Sequence, residues 1–256
     1  MVKARVPQNL SERAYQFILN RILSGDLPLG SPVTRRPVAK RLGISLIPVA
    51  AALNRLESEG LVESLPCIGT RVRVPTAEDI VGHYQLREAL EVHSARLFAE
   101  TASTEERAAL CRLAARLDAS YQAIASKGGA SGARLFEIHK AHSDFHLRVV
   151  RDTRCKPLID ALERSHVLIF NWLYNTASQF ESIPPRWHLD LAEALARDGV
   201  EGADRAMRVH VRYGKEVVLM RLAGMAEEIR RATRSYRGRQ QRNKPAGTGY
   251  EEAHHL

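Results

Sequence analysis

No stretch of this sequence approaches the roughly 18 uninterrupted apolar residues that a membrane-spanning helix needs. The opening segment, MVKARVPQNLSER, carries charge where a signal peptide would need its apolar region, which argues against secretion by that route. Cysteine is scarce. Cys67, Cys111 and Cys155 stand far apart and form no CxxC pair, and their odd number suits a reducing compartment better than a disulfide framework. A cytoplasmic location is therefore expected. Nor is there an HExxH or comparable signature of a metal hydrolase. What is present is ordinary for a folded chain: 45% apolar and 26% charged residues argue against disorder, collagen or a coiled-coil fibre. A length of 256 residues favours two modest domains.

Net charge is +9, and its distribution says more than its total. Residues 1–75 hold 11 Lys/Arg against 5 Asp/Glu, residues 76–229 hold 20 against 22, and residues 230–256 hold 7 against 2. A positive N-terminal part on a near-neutral body suggests that the first part meets a polyanion while the body does something else.

The first 75 residues read as three helices and a hairpin. From Ser11, the residues Tyr15, Ile18, Leu19, Ile22 and Leu23 repeat at helical spacing until Ser24-Gly25-Asp26 stops them. A short helix over 34–42 follows, with Thr34 as N-cap, Pro37 in the first turn and Gly43 as terminator. Ser45 opens a third, whose buried stripe is Val49, Ala52, Leu53 and Leu56 and which Gly60 ends. Runs at 61–65 and 70–74 flank Pro66-Cys67-Ile68-Gly69 as strands of a hairpin. The predicted fold class is mainly α: a winged helix-turn-helix with a two-stranded wing, then an all-α bundle. Six helices are predicted in the body, over 79–100, 105–125, 133–150, 156–175, 186–198 and 202–225. The stretch from Arg234 lacks apolar periodicity and is expected to be disordered, so the domains are drawn at 1–75, 76–229 and 230–256.

Three body helices carry histidine within their apolar stripes. His142 lies on one face with Leu135, Ile138, Phe145 and Val149, and His146 is offset by roughly 40°, so the pair can face one point. His188 shares its face with Leu191 and Leu195, and His210 with Met207 and Val217. A bundle that brings these faces together supplies up to four imidazole nitrogens, a donor set for Zn²⁺, Ni²⁺, Mn²⁺ or a related divalent ion. A hydrogen-bonded core role for each histidine is the alternative.

The run ILSGDLPLGSPVTRRPVAKRLGISLIPVAAALNRLESEGLVESLPCIGTRVRV resembles the DNA-binding domain of the GntR family of bacterial transcription regulators. Such a domain braces the backbone with its second helix and enters the major groove with its third. Relatives usually carry Arg at the start and middle of that third helix, whereas this chain has Leu46 and Ala50, and Ala51 replaces a Glu. Arg36 matches the arginine of the family's second helix, and Arg35 stands where an acid is common. The candidate DNA contacts are Arg35, Arg36, Ser45, Asn54 and Arg55, with Gly69 and Thr70 in the wing. Leu46 and Ile47 either touch thymine methyls or form an ordinary exposed helix start.

The segments YQLREALE, HSDFH, WHLDLAEAL and MRVHV, within 78–222, resemble the FCD ligand-binding domain of the FadR branch of that family. Many such domains hold a divalent metal through an Asp and three His. The resemblance implies that His146, His188 and His210 match the three histidines, while His142 replaces the Asp, giving a more cationic site less suited to hard ions. Asp144 points about 160° from His146 and is not expected to substitute. Arg87 matches an arginine that FCD domains often turn toward their cavity, as an effector contact, with an ion pair to a neighbouring Glu as its alternative. Together the resemblances imply a homodimeric transcription factor, not an enzyme, that binds operator DNA and responds to a small carboxylate. An architectural DNA binder without ligand control and a histidine-ligated metal hydrolase are the rivals.

Overall fold

The computed structural model describes residues 9–66, 69–126, 132–164 and 183–242. Helix α1 (Leu10–Leu23) starts where the Asn9 side chain accepts the backbone N–H groups of Ser11 and Glu12. Its stripe of Tyr15, Ile18, Leu19 and Ile22 packs on α3 (Leu46–Ser58), which returns Val49, Ala52, Leu53 and Leu56. Each such side chain, fully buried, is worth roughly 1.5–3 kcal/mol. Between them α2 (Arg35–Leu42) ends at Gly43, whose φ of +66° supplies the left-handed residue that a three-residue turn into α3 requires. Neither Thr34 nor Ser45 makes a side-chain cap hydrogen bond. The wing is the antiparallel pair β1 (Val62–Leu65) and β2 (Gly69–Val72), with Val62 opposite Val72 and Ser64 opposite Thr70. It is a residue or two shorter than its apolar pattern, although at the Leu61 end one further bond, from the Arg73 N–H to the Leu61 carbonyl, carries the register a step beyond Val62 and Val72. Cys67 and Ile68, at the expected turn, lie outside the described residues.

The body opens with α4 (Ala77–Thr101), fixed by a reciprocal capping box between Thr76 and Asp79. Asp79 also takes both its oxygens to Arg73 Nη2 at 2.8 and 2.9 Å, tying the helix to the chain just after the wing. A second capping box, Ser103 with Glu106, opens α5 (Thr104–Ala125). Then follow α6 (Gly132–Asp152), α7 (Lys156–Arg164), α8 (Trp187–Arg197) and α9 (Gly199–Arg242). Helix α9 lies along α4, α5 packs on both α6 and α8, and α4 also meets α6 and α8, so five helices enclose one interior. Arg107 closes one end of the bundle by donating to the carbonyls of Ala99, Ala102, Leu195 and Ala196, which no intrahelical donor reaches.

The expected end of the last helix near Met225 is corrected by α9, which continues to Arg242 and crosses the boundary drawn at 229/230. Residues 226–242 are rich in Ala, Glu, Gln and Arg and hold no proline, so their helix propensity favours continuation despite the lost apolar period. Residues 243–256 of the expected tail, residues 127–131 of the expected connector and residues 165–175 of the expected fourth body helix lie outside the described residues.

Candidate metal centre and nucleic-acid interface

Helix α6 presents His142 and His146 one turn apart, α9 presents His210, and these three gather so that one nitrogen from each lies within 4.8 Å of the others. His142 Nε2 faces His146 Nε2 at 2.9 Å. Two imidazole nitrogens bound at right angles to a shared ion would stand about 3 Å apart at usual metal–nitrogen distances of roughly 2.1 Å. His188, from the first turn of α8, has its ring centre 4.7 Å from that of His142 and 5.3 Å from that of His210. The sharp entry into α8 comes from Arg186, which has a φ of +62° and is held by ion pairs to Asp190 and Glu193. Trp187 then stacks on His210, centres 5.3 Å apart.

Buried carboxylates orient two of these rings. Asp118 on α5 sits 2.6 Å from His188 Nδ1 and accepts the backbone N–H groups of His188 and Leu189. The proton is thereby assigned to His188 Nδ1, leaving the Nε2 lone pair directed inward. Glu91 on α4 contacts His146 Nδ1 through Oε2 and accepts from Arg87 Nε at 2.7 Å through Oε1. Tyr121 Oη stands 3.3 Å from His142 Nδ1. A consistent network follows in which Glu91 accepts a hydrogen bond from His146 Nδ1–H, His142 Nε2 donates to His146 Nε2, and Tyr121 donates to His142 Nδ1. His188 Nε2 and His210 Nδ1 remain buried without a partner among the described residues.

The electrostatics favour neutral imidazoles. Burial, reinforced by the neighbouring histidines and by Arg87, pushes His142 and His210 well below their ordinary pKa. His188 is lowered by burial too, although Asp118 opposes the shift. Burial would raise the Glu91 carboxyl, but Arg87 and His146 overcome it and bring it down to about 2. Asp118 is likewise held low against burial by His188 and the Leu189 N–H. Imidazoles lowered by burial at His142, His188 and His210, two ring nitrogens without partners and two rings oriented by carboxylates make a donor set that suits a divalent transition ion, so the residues fit such an ion.

Of the sequence candidates, His142, His146, His188 and His210 come together here, and Arg87 sits beside them, buried and paired with Glu91. Asp144 pairs with Lys140 on the surface. Glu91, Asp118 and Tyr121 were not singled out from sequence. A carboxylate inside the α5 stripe of Leu110, Ala114, Leu117 and Tyr121 was the available signal for Asp118.

In the head, Arg35 and Arg36 are exposed in the first turn of α2, and Ser45 and Asn54 are exposed at the start and outer face of α3. Gly69 and Thr70 begin the outer wing strand. Arg55 is used differently. It lies 3.8 Å over the Tyr15 ring and bonds Glu12 at 2.7 Å and Glu59 at 2.9 Å, bracing α3 against α1.

Residues 10–72 match the family described as bacterial regulatory proteins, gntR family, and residues 83–213 match the FCD domain. The chain belongs to the GntR family. It is thus a transcription regulator with a winged helix-turn-helix head and an FCD body. This GntR regulator is 29% identical over 203 residues to a protein of Paenarthrobacter nicotinovorans named "Probable D-xylose utilization operon transcriptional repressor", covering 79% of this chain and 85% of that one. It is 23% identical over 216 residues to the HTH-type transcriptional repressor RspR of Escherichia coli K12, covering 82% and 90%. Its fold is shared with a GntR transcriptional regulator from Rhodococcus sp. RHA1 (TM-score 0.64, 22% identity, 82% and 97% coverage) and with E. coli McbR/YncC (TM-score 0.63, 19% identity, 86% and 99% coverage). No described helix of the regulator is long and apolar enough to cross a membrane.

Proposed function

We propose that this regulator works as a homodimer whose heads, residues 1–75, bind a two-fold operator and whose bodies hold a divalent transition metal and respond to a small carboxylate. The observation that carries the metal reading is the convergence of four imidazoles from three helices, with His188 Nε2 and His210 Nδ1 buried and unpartnered. His142, His146 and His210 would hold the ion, with His188 as a further donor. Asp118 and Glu91 fix the tautomers and ring planes of His188 and His146. When bound, a divalent ion supplies a Lewis-acidic centre able to take a carboxylate oxygen.

Arg87 contributes positive potential to the same interior while Glu91 neutralises part of it. A dication, set against the Asp118 carboxylate and the self-cancelling Arg87–Glu91 pair, leaves the centre net positive, which favours small organic anions over amines and sugars. The Arg35–Arg36 pair on α2 supports phosphate contact, and Gly69 with Thr70 places the wing to do the same. Arg55, committed to Glu12 and Glu59, has a bracing role.

Elemental analysis of the purified protein and thermal shift with Zn²⁺, Ni²⁺ and Mn²⁺ test the metal. One ion per chain and a stabilisation lost in His210→Ala are expected. Absence of both returns the histidines to a core role. Calorimetry of metal-loaded and metal-free protein against mono-, di- and hydroxycarboxylates tests the effector. Binding that does not depend on metal overturns it.

A further inference from the structure

The outer face of α3 carries Ile47, Ala51, Asn54 and Ser58, spaced by four, three and four residues and all exposed. It bears no charge. Ile47 is 80% exposed and Leu46 beside it 46%, where an aliphatic side chain gains nothing from the fold itself. The cations lie on the neighbouring helix: Arg35, Arg36, Lys40 and Arg41 of α2 are exposed. Four of the five acids of the head are occupied elsewhere, Glu12 and Glu59 by Arg55, Glu63 by Arg71 and Glu57 by the Ser64 N–H and hydroxyl, and the fifth, Asp26, stands in the turn after α1. Charge complementarity therefore points duplex DNA at this side of the head, with phosphates on α2 and base edges on α3.

We infer that α3 reads its half-site by thymine methyl groups and adenine rather than by guanine, with Ile47, flanked by Leu46, packing on a thymine C5-methyl and Asn54 pairing with an adenine. This deepens the operator reading above and rests on it. A face without guanidinium or ammonium cannot make the bidentate contact to guanine O6 and N7, whereas aliphatic carbon matches the thymine methyl and a carboxamide matches adenine N6 and N7. Ile47 and Asn54 are seven residues apart, about 10.5 Å along the helix. At roughly 3.4 Å per base the two positions read fall about three base pairs apart.

Selection of full-length protein on a random duplex library supplies the operator, and single thymines in it are then replaced by uracil, which removes only the methyl. The expected half-site fixes a thymine and an adenine about three base pairs apart. Uracil at that thymine should weaken wild type about fourfold, the factor for one buried methyl group. Ile47→Ala should bind thymine and uracil operators equally, and Asn54→Ala should lose roughly tenfold and accept any base at the adenine. An enriched operator that fixes guanine at these positions, or shows no uracil effect in wild type, overturns the inference and leaves operator binding standing. A library with no enrichment overturns both.

Discussion

The head and the body dispose of charge in opposite ways. In the head every acid on α1, α3 and β1 is engaged within the domain, and the arginines and lysine of α2 are left facing outward. In the body the charged and titratable groups that matter are turned inward: Arg87, Glu91, Asp118, His146, His188 and His210 are all buried. An outward cationic surface suits a long polyanion whose condensed counterions it displaces, and an inward cluster suits a small ion that must shed its water. One chain thus uses the same side-chain chemistry for two ligands by choosing which side of the fold it faces.

The sharpest break in this comparison should come from the buried ion pair. Glu91→Ala leaves Arg87 buried and uncompensated and should destabilise the metal-free protein by about 3–5 kcal/mol in urea unfolding. Arg87→Met combined with Glu91→Leu should recover most of that, and a Glu91→Ala cost below about 1 kcal/mol would contradict a buried pair.

The pH response should separate the regions next. His142 and His210 titrate far below their unfolded value, so the unfolded chain binds more protons once pH falls below about 6.5. Stability of the metal-free body should therefore fall with acidification from that point, by up to about 1.4 kcal/mol per group and pH unit, until the folded-state values are reached. Glu91, held at about 2, adds its own loss only below the usual carboxylate range. The head contains neither histidine nor tryptophan, so the fluorescence of Trp172 and Trp187 reports the body alone. An unfolding midpoint that does not move between pH 7.5 and 5.5 would refute the assignment of neutral histidines.

Metal binding in Asp118→Asn should weaken roughly 10- to 100-fold by calorimetry, since the ring of His188 loses its anionic partner. DNA affinity of the metal-free protein should not change. In the head, Arg36→Ala should weaken binding to operator and to random duplex alike and lower the salt slope by about one, with the unfolding midpoint left in place. Arg55→Ala is the smallest effect: a half-exposed guanidinium shared between Glu12 and Glu59 should be worth under about 1 kcal/mol of stability. A loss of DNA binding larger than its loss of stability would return Arg55 to the interface.

Much of this division was legible in the sequence. The helix-turn-helix followed from Gly43 and from the stripe Val49, Ala52, Leu53 and Leu56, because local backbone demand and periodic burial are written in adjacent residues. His142, His146, His188 and His210 were legible because each interrupts an apolar stripe. Their carboxylate partners were not. Asp118 meets His188 across 70 residues of sequence, and nothing in either segment states that distance. The contact of Arg55 with Tyr15 was hidden for a related reason: its position on the flank of α3 offers it DNA or α1, and the ring it lies over comes from another helix. The continuation of α9 to Arg242 escaped because residues 226–242 lack an apolar period in sequence, although most of them are good helix formers and none is proline.

Helix α4 carries Asp79 at one end and Glu91 three turns later, about 18 Å along a single unbroken rod. The first residue grips Arg73 at the root of the wing and the second touches His146. A helix is stiff along its axis, so the rod has no joint between the two grips in which a displacement could be absorbed. The carboxylate that touches the histidine cluster and the carboxylate that anchors the wing root therefore share one continuous helix.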